Sequence, residues 1–206
     1  MLDGPAENPL KGLYLTRIYR DEPFRVVSDL PKDEAIAICS KFAPGRRMAD
    51  KVGDQEAYME GRIETENWLR SSAANAGVDI RKQNPVYFCL TTEPQEGKAQ
   101  HGMKAISIPA EKFDLSCCSF TYGDSMGNHT TVLPDGVQPH PLQGAVLNAE
   151  QTAQAIKSFG LQGDYINGGR YIEVQVWANP AEATTMDLKT ITSAAPARPL
   201  SSSSTP

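Results

Sequence analysis

The segment GRYIEVQVW, residues 169–177, combines a strand-like alternation with a single carboxylate at its centre. β-branched apolar side chains occupy every second position, and the positions between them are Tyr171, Glu173, Gln175 and Trp177. A charged side chain on a half-buried pleated surface needs water or a partner. Glu173 is therefore either an exposed acid on an edge strand or a catalytic acid. In the second case Tyr171, Glu173, Gln175 and Trp177 would all point toward a cleft. The opposite face, which we expect to enter the core, consists of Ile172, Val174 and Val176.

The length and composition of the chain predict one folded domain. It has 206 residues with 40% hydrophobic content, which suffices for one core. We expect residues 1–12 to be a flexible arm, residues 13–190 to form the domain, and residues 191–206 to be a disordered tail of low complexity. The net charge of −5 disfavours a broad basic surface for nucleic acid but leaves a local basic groove open.

The chain carries no signal for a membrane or for export. No apolar run is long enough to span a bilayer, and the opening residues MLDGPAENPLKG are too polar and acidic for a signal peptide. These features predict a cytoplasmic protein without a membrane partner.

The four cysteines are expected to be reduced. They stand among apolar or strand-like neighbours, at positions Cys39, Cys89, Cys117 and Cys118. A zinc site could use Cys117, Cys118 and one histidine, but adjacent cysteines on a strand point to opposite faces and no ligand spacing is regular. We therefore predict no metal.

Hydrophobic periodicity predicts an α+β fold with a mixed or antiparallel β core and N-terminal helices. Strands are predicted at about residues 13–20, 85–94, 103–114, 117–122, 144–147 and 169–177, and helices at 32–42, 46–74 and 149–159. In the last helix, Asn148 and Gln151 form a predicted capping box and Gly160 ends the helix. Residues 121–131 are expected to form a polar loop that either hydrogen-bonds internally or contacts a ligand.

Several polar side chains stand at strand positions where a ligand could bind. Arg17 and Arg20 are either surface cations or planar forks for a phosphate or carboxylate. The central strand ends in Thr91 and further polar residues, which mark either a ligand-binding edge or an ordinary turn.

The motifs of the common nucleotide and hydrolase sites are absent from the sequence. It lacks the P-loop, the glycine-rich dinucleotide fingerprint, HExxH and GxSxG. A hydrolase would have to be assembled from scattered residues around His129 or His140. A carboxylate nuclease would find mainly Glu93, Asp124 and Glu173 in the β half.

The order of three segments, YLTRIYRDEP, PVYFCLTTEP and RYIEVQV, resembles the ADP-ribosyltransferase fold, and in particular DarT-type toxins that modify DNA. In that family an early strand reads like His-x-Thr-His-x, a middle segment like Pro-Phe-Tyr-Phe, and a late strand like Arg-x-Ala-Glu-Phe-Leu-Val with the catalytic glutamate. The resemblance spans most of Leu13 to Trp177, although Tyr14 stands where that family has histidine.

This resemblance implies NAD as cofactor and a nucleic acid or protein as acceptor. Glu173 would be the catalytic acid that stabilises the ribosyl cation, and Arg17, beside the NAD phosphates, would be the second catalytic residue. Gln175, on the same strand face as Glu173, would contact the substrate. The other implied cofactor contacts are Thr16, Arg20, Tyr87, Thr91 and Tyr122. The residues implied to present the acceptor are Tyr165, Asn167 and Arg170.

A different class of function also fits the sequence. The chain could be a non-catalytic α+β module that binds a partner through the loop at residues 121–131. In that case changes at Glu173 would leave function intact, and changes in the loop would abolish binding.

Overall fold

The computed structural model describes residues 8–42, 55–95, 103–130, 138–161 and 171–187. The strands in these ranges are β1 (Tyr14–Tyr19), β2 (Val86–Thr91), β3 (Lys104–Pro109), β4 (Cys118–Tyr122) and β5 (Ile172–Val176). The helices are α1 (Lys32–Phe42), α2 (Gln55–Asn75), α3 (Ser125–Thr130), α4 (Ala149–Phe159) and α5 (Pro180–Ala183).

The described strands form one antiparallel sheet in the order β3-β1-β2-β5-β4. The strands β1, β2 and β5 are internal, and β5 lies between β2 and β4. The α+β fold and the strand assignments for these segments are confirmed. Glu173 therefore lies on an internal strand, which excludes an exposed acid at the sheet edge.

One face of the sheet is apolar because each strand places a branched or aromatic side chain there at every second position. Members of this core include Leu15, Phe88, Ile106, Phe120 and Val174. The helix α4 packs on the same core through Ala149 and Ala155. Leu10 is also buried in it, so the chain is anchored from the first described residues.

The other face of the sheet is polar although it is also buried. In the antiparallel register Glu173 pairs with Cys89 and with Thr121, and Gln175 pairs with Tyr87 and with Ser119. Paired residues project to the same side of a sheet, so these side chains share one face. We call it the polar face.

The helix α2 covers part of the polar face. Its buried Leu69 and Ala73 form a small apolar cluster with Val78 and Trp177. The helix runs without interruption through Gly61, and Met126 of α3 approaches that glycine. The predicted helix began at residue 46, and residues 46–54 lie outside the described ranges.

Two predicted elements differ from the structure. The expected polar loop contains α3, which follows a turn in which Asp124 Oδ1 accepts a hydrogen bond of 2.8 Å from Gly127 N. The predicted strand at 144–147 is a single bridge between Phe120 and Leu147. It ends there because the next residue, Asn148, already caps α4.

The four cysteines carry free thiols, as predicted, and Cys117 and Cys118 are fully buried. None of the helices in the described part of the chain combines the length and apolar character that a bilayer span requires.

The predicted capping box at Asn148 is confirmed. Its side chain accepts from Gln151 N at 2.9 Å, Gln151 Oε1 accepts from Asn148 N at 3.0 Å, and Asn148 Nδ2 donates to Ala76 O at 3.0 Å. We expect Asn148→Ala to lower the free energy of unfolding by about 1–2 kcal/mol in urea denaturation. Asn148→Asp is the control because it keeps the capping acceptor and loses only the bond to Ala76. Equal losses in both variants would show that the cap contributes little.

Candidate functional site

Glu173 lies at the centre of the polar face and is 7% exposed. Its Oε1 accepts hydrogen bonds from Ser125 Oγ at 2.7 Å and from Gln175 Nε2 at 3.1 Å. Its Oε2 lies 3.5 Å from the backbone nitrogen of Ser125. The first turn of α3 thus covers the carboxyl group, whose direct partners among the described residues are all neutral.

Burial raises the pKa of Glu173 to about 7, and the negative charge of Asp124 adds to this effect. The hydrogen bonds from Ser125 and Gln175 and the positive charge of Arg62 act in the opposite direction. A carboxyl group that changes charge near neutral pH can exchange protons under physiological conditions.

The four residues expected to line a cleft do share the polar face, but two of them are completely covered. Gln175 and Trp177 are buried, with Trp177 packed against Leu69 of α2. Tyr171 is half-buried and its hydroxyl donates to Asp124 Oδ2 at 3.3 Å. The predicted cleft surface is therefore in large part an interior layer between the sheet and the helices.

A cation and a second acid on α2 extend the polar face. Arg62 Nε lies 3.1 Å from Glu66 Oε1, and its guanidinium carbon lies 4.8 Å from the centre of the Tyr87 ring. Arg62 Nε also donates to Ser28 Oγ at 3.1 Å. Tyr87 in turn donates its hydroxyl hydrogen to Glu66 Oε1 at 3.2 Å. Tyr87 was predicted to line the pocket. Its hydroxyl group connects Glu66 of α2 with β2, the strand next to β5.

The carboxyl group of Glu66 is only partly satisfied. Glu66 is 1% exposed, and its Oε2 accepts no hydrogen bond from any described residue. Burial raises the pKa of Glu66, while Arg62 lowers it. A buried acceptor without a partner is costly, so Glu66 Oε2 can accept a hydrogen bond from a water molecule or from a bound group.

Their charge alone would favour a solvated helix face for Arg62 and Glu66, but their spacing in the sequence indicates a different position. Met59, Arg62, Glu66, Leu69 and Ala73 follow one another at spacings of three or four residues, which places them on one helical stripe. Because most of this stripe is apolar and buried, Glu66 is buried with it, and the side chain of Arg62 is only 20% exposed.

Thr16 and Thr91, predicted to contact the cofactor, lie on the polar face in a chain of hydroxyl groups. Thr16 Oγ1 lies 2.8 Å from Thr91 Oγ1 and 2.8 Å from Ser107 Oγ. Ser107 accepts from Gln95 N at 2.9 Å, and Thr91 donates to Glu93 O at 2.9 Å. Since each hydroxyl has one hydrogen, Ser107 donates to Thr16 and Thr16 donates to Thr91. Both threonines thereby anchor the turn after β2.

Arg17 does not lie with Glu173. It follows Thr16 on β1 and pairs with Ile106, which places it on the opposite, apolar side of the sheet. Its guanidinium donates to Tyr87 O at 2.7 Å, to Arg25 O at 2.9 Å and to Pro23 O. Burial and the charge of Arg62 lower the pKa of Arg17 to about 10. Backbone carbonyls thus hold this cation.

Tyr122 is also on the apolar side, because it pairs with Ile172. Its hydroxyl donates to Gly160 O at 3.2 Å, and its ring stacks on His140 with centroids 5.4 Å apart. Arg20 is exposed just beyond β1. The three predicted acceptor residues, Tyr165, Asn167 and Arg170, lie outside the described ranges.

Searches with this chain found no matching family model, no matching curated protein and no matching solved structure. Within the described ranges, no three His, Cys, Asp or Glu side chains come together as a metal ion would require. The chemistry available at the polar face is therefore judged from its ionisable and hydrogen-bonding side chains. It holds an acid that titrates near neutrality, an amide donor to that acid, and a cation paired with a second acid.

Proposed function

We propose that the chain is an NAD-dependent ADP-ribosyltransferase that modifies a macromolecular acceptor, nucleic acid or protein, with Glu173 as the catalytic acid. One observation carries the proposal: Glu173 is a buried carboxyl group on an internal strand whose direct partners are neutral. Its negative charge is therefore not matched by an ion pair at contact distance among the described residues. Such a carboxylate gains most when positive charge develops beside it.

The chemistry requires a group that stabilises positive charge on a sugar. NAD supplies the ADP-ribosyl group when the bond from its ribose to nicotinamide breaks, nicotinamide leaves, and the acceptor nucleophile bonds to the same carbon. The carboxylate of Glu173 would stabilise the positive charge on the ribose and then take the proton that the acceptor releases. Exclusion of water by α3 strengthens this electrostatic effect.

The other described groups of the polar face suit a dinucleotide. Tyr87 offers an aromatic ring, and Glu66 Oε2 offers a buried acceptor for an N–H or O–H donor. We assign the cationic role to Arg62 instead of Arg17, because Arg62 and Glu173 lie on the same side of the sheet. A phosphate contact by Arg20 remains part of the proposal.

The experiment that tests the proposal measures NAD binding and nicotinamide release by the full chain, with DNA, RNA and protein mixtures as acceptors. We expect the wild type to release nicotinamide and Glu173→Gln to release it far more slowly. Equal rates would show that Glu173 is not the catalytic acid. A folded wild type that neither binds nor consumes NAD would overturn the proposed function.

A further inference from the structure

A continuous chain of hydrogen bonds runs from Trp177 to Glu173 across β4 and β5. Trp177 Nε1 donates to Ser119 Oγ at 2.9 Å, and Ser119 Oγ donates to Gln175 Oε1 at 2.9 Å. Gln175 Nε2 then donates to Glu173 Oε1 at 3.1 Å and to Thr121 Oγ1 at 3.1 Å. Every member is buried, so water does not compete for these bonds.

The chemistry of the first member gives the chain its direction. An indole nitrogen is only a donor, so the oxygen of Ser119 must accept from Trp177. The single hydrogen of Ser119 is then available for Gln175 Oε1. The amide of Gln175 is thereby oriented with its oxygen toward Ser119 and its nitrogen toward Glu173.

A second set of contacts orients the same amide independently. Thr121 Oγ1 donates its only hydrogen to Gly123 O at 3.1 Å, so it can only accept from Gln175. The side of the amide that faces Thr121 must therefore be the nitrogen. The contacts of the amide oxygen and of the amide nitrogen therefore indicate the same orientation. In the flipped orientation the amide oxygen would face the carboxyl group of Glu173.

We propose that Trp177 is a positioning residue that, through Ser119, fixes the amide of Gln175 so that its N–H donates to the Glu173 carboxylate. This role rests on the proposed function for its catalytic meaning, because the carboxylate is the group that would act on the ribose. The amide hydrogen stabilises the ionised form of Glu173, which is the form that the reaction needs. Trp177 thus acts on the carboxyl group without contacting it.

Trp177 is well placed for this function because its own position is constrained on all sides. Its ring packs in the cluster with Leu69, Ala73 and Val78. Its backbone nitrogen donates to Cys117 O at 2.8 Å, and its carbonyl accepts from Arg81 N at 2.8 Å. Because the indole N–H of Trp177 is held in place, Ser119 accepts from it and directs its own hydrogen to Gln175.

Among the described residues, several ionisable groups face Glu173 from the elements packed against its strand. They are Arg62 of α2, Tyr87 and Cys89 of β2, and Asp124 before α3. None of them belongs to the chain from Trp177, so variants at Trp177 and Ser119 leave these charges in place. A change in the titration of Glu173 in such variants therefore reports on the amide.

The test is an NMR titration of the full chain labelled with ¹³C in the glutamate side chains. The carboxyl signal of Glu173 is identified by its loss in Glu173→Gln. We expect Trp177→Phe and Ser119→Ala each to move the titration midpoint of Glu173 upward, by up to about one pH unit. The amide is then oriented by Thr121 alone, and it can turn its oxygen toward the acid once the Thr121 hydroxyl turns its hydrogen from Gly123 to the amide. Ser107→Ala, which removes a buried hydroxyl elsewhere on the polar face, should leave the midpoint unchanged.

The same variants separate this inference from the proposed function. Nicotinamide release should follow the midpoint, so its rise with pH should shift upward by the same amount in both variants. A midpoint that moves while the wild type releases no nicotinamide overturns the proposed function and keeps the positioning role. An unchanged midpoint alongside nicotinamide release overturns the positioning role. If Trp177→Phe does not fold, Ser119→Ala decides, because it removes one hydroxyl group and little volume.

Discussion

Replacing Glu173 with glutamine is expected to lower nicotinamide release at least about 100-fold and, in the same molecule, to raise the free energy of unfolding above pH 7. Activity falls because a neutral amide cannot stabilise positive charge on the ribose. Stability rises because the wild type must bury a charge whose direct partners are neutral. The two effects have opposite signs, which is the pattern expected of a group retained for function at the expense of stability.

Protonation of Glu173 links the stability of the wild type to pH. Burial, together with Asp124, raises the pKa of Glu173 in the folded chain from 4.5 to about 7. Between these two values the unfolded chain has lost the proton and the folded chain retains it, so the free energy of unfolding decreases as the pH rises. A shift of this size lowers the free energy of unfolding of the wild type by about 3 kcal/mol at pH 8. The glutamine variant, which has no group that ionises at this position, keeps that free energy.

Urea denaturation at pH 4 and pH 8, with nicotinamide release measured in parallel, checks both effects. The variant should be more stable than the wild type at pH 8, and the difference should nearly vanish at pH 4. Glu150→Gln serves as the control, because Glu150 is exposed on α4 and its replacement should alter neither quantity. A glutamine variant that is less stable than the wild type at pH 8 would contradict this account.

Replacing Arg62 with methionine is expected to lower the free energy of unfolding by about 3–5 kcal/mol at pH 8. The side chain of Arg62 is 20% exposed and that of Glu66 is 1% exposed, so the variant would leave a buried carboxylate without its cation. Tyr87 would still donate to Glu66, but a neutral hydroxyl compensates less of the charge. The loss should shrink at low pH as Glu66 becomes protonated.

A double-mutant cycle with Arg62→Met and Glu66→Met isolates the pair. The double variant should recover most of the stability, because two apolar side chains replace a cation and an acid that were expensive to bury. Lys32→Met is the matched control. Lys32 pairs with Glu56 at the surface, where the two side chains are 50% and 58% exposed, so its loss should change the free energy of unfolding little. A small loss in Arg62→Met would show that Glu66 is protonated in the folded chain at pH 8.

Period-two patterns in the sequence predicted the five strands of the described sheet, because burial on one side of a sheet repeats at every second residue. β5 is the clearest example, since its Ile172, Val174 and Val176 all enter the core. The same alternation contains information on Arg17: neighbours on a strand point to opposite sides, so Thr16 and Arg17 could not both face the site. The sheet order that placed Glu173 on an internal strand depends on long-range pairing, which local patterns do not contain.

Charged residues on α2 were harder to predict because charge normally indicates solvent. Glu66 is buried and Arg62 is largely covered, since they pair with each other across one helical turn and contact Tyr87 of a distant strand. Only their helical spacing from Leu69 was visible in the sequence. The cover of Glu173 by Ser125 was not predictable, because α3 is a short polar segment without apolar periodicity.

The hydroxyl chain through Ser107, Thr16 and Thr91 restricts how these positions can vary in evolution. Its bonds all run one way, from the amide of Gln95 to the carbonyl of Glu93. Loss of the middle hydroxyl would remove the acceptor to which Ser107 donates and the donor to Thr91, so a single replacement disrupts both neighbours. We expect the three positions to change together among descendants of a common ancestor, from a hydroxyl set to an apolar set, and seldom one at a time.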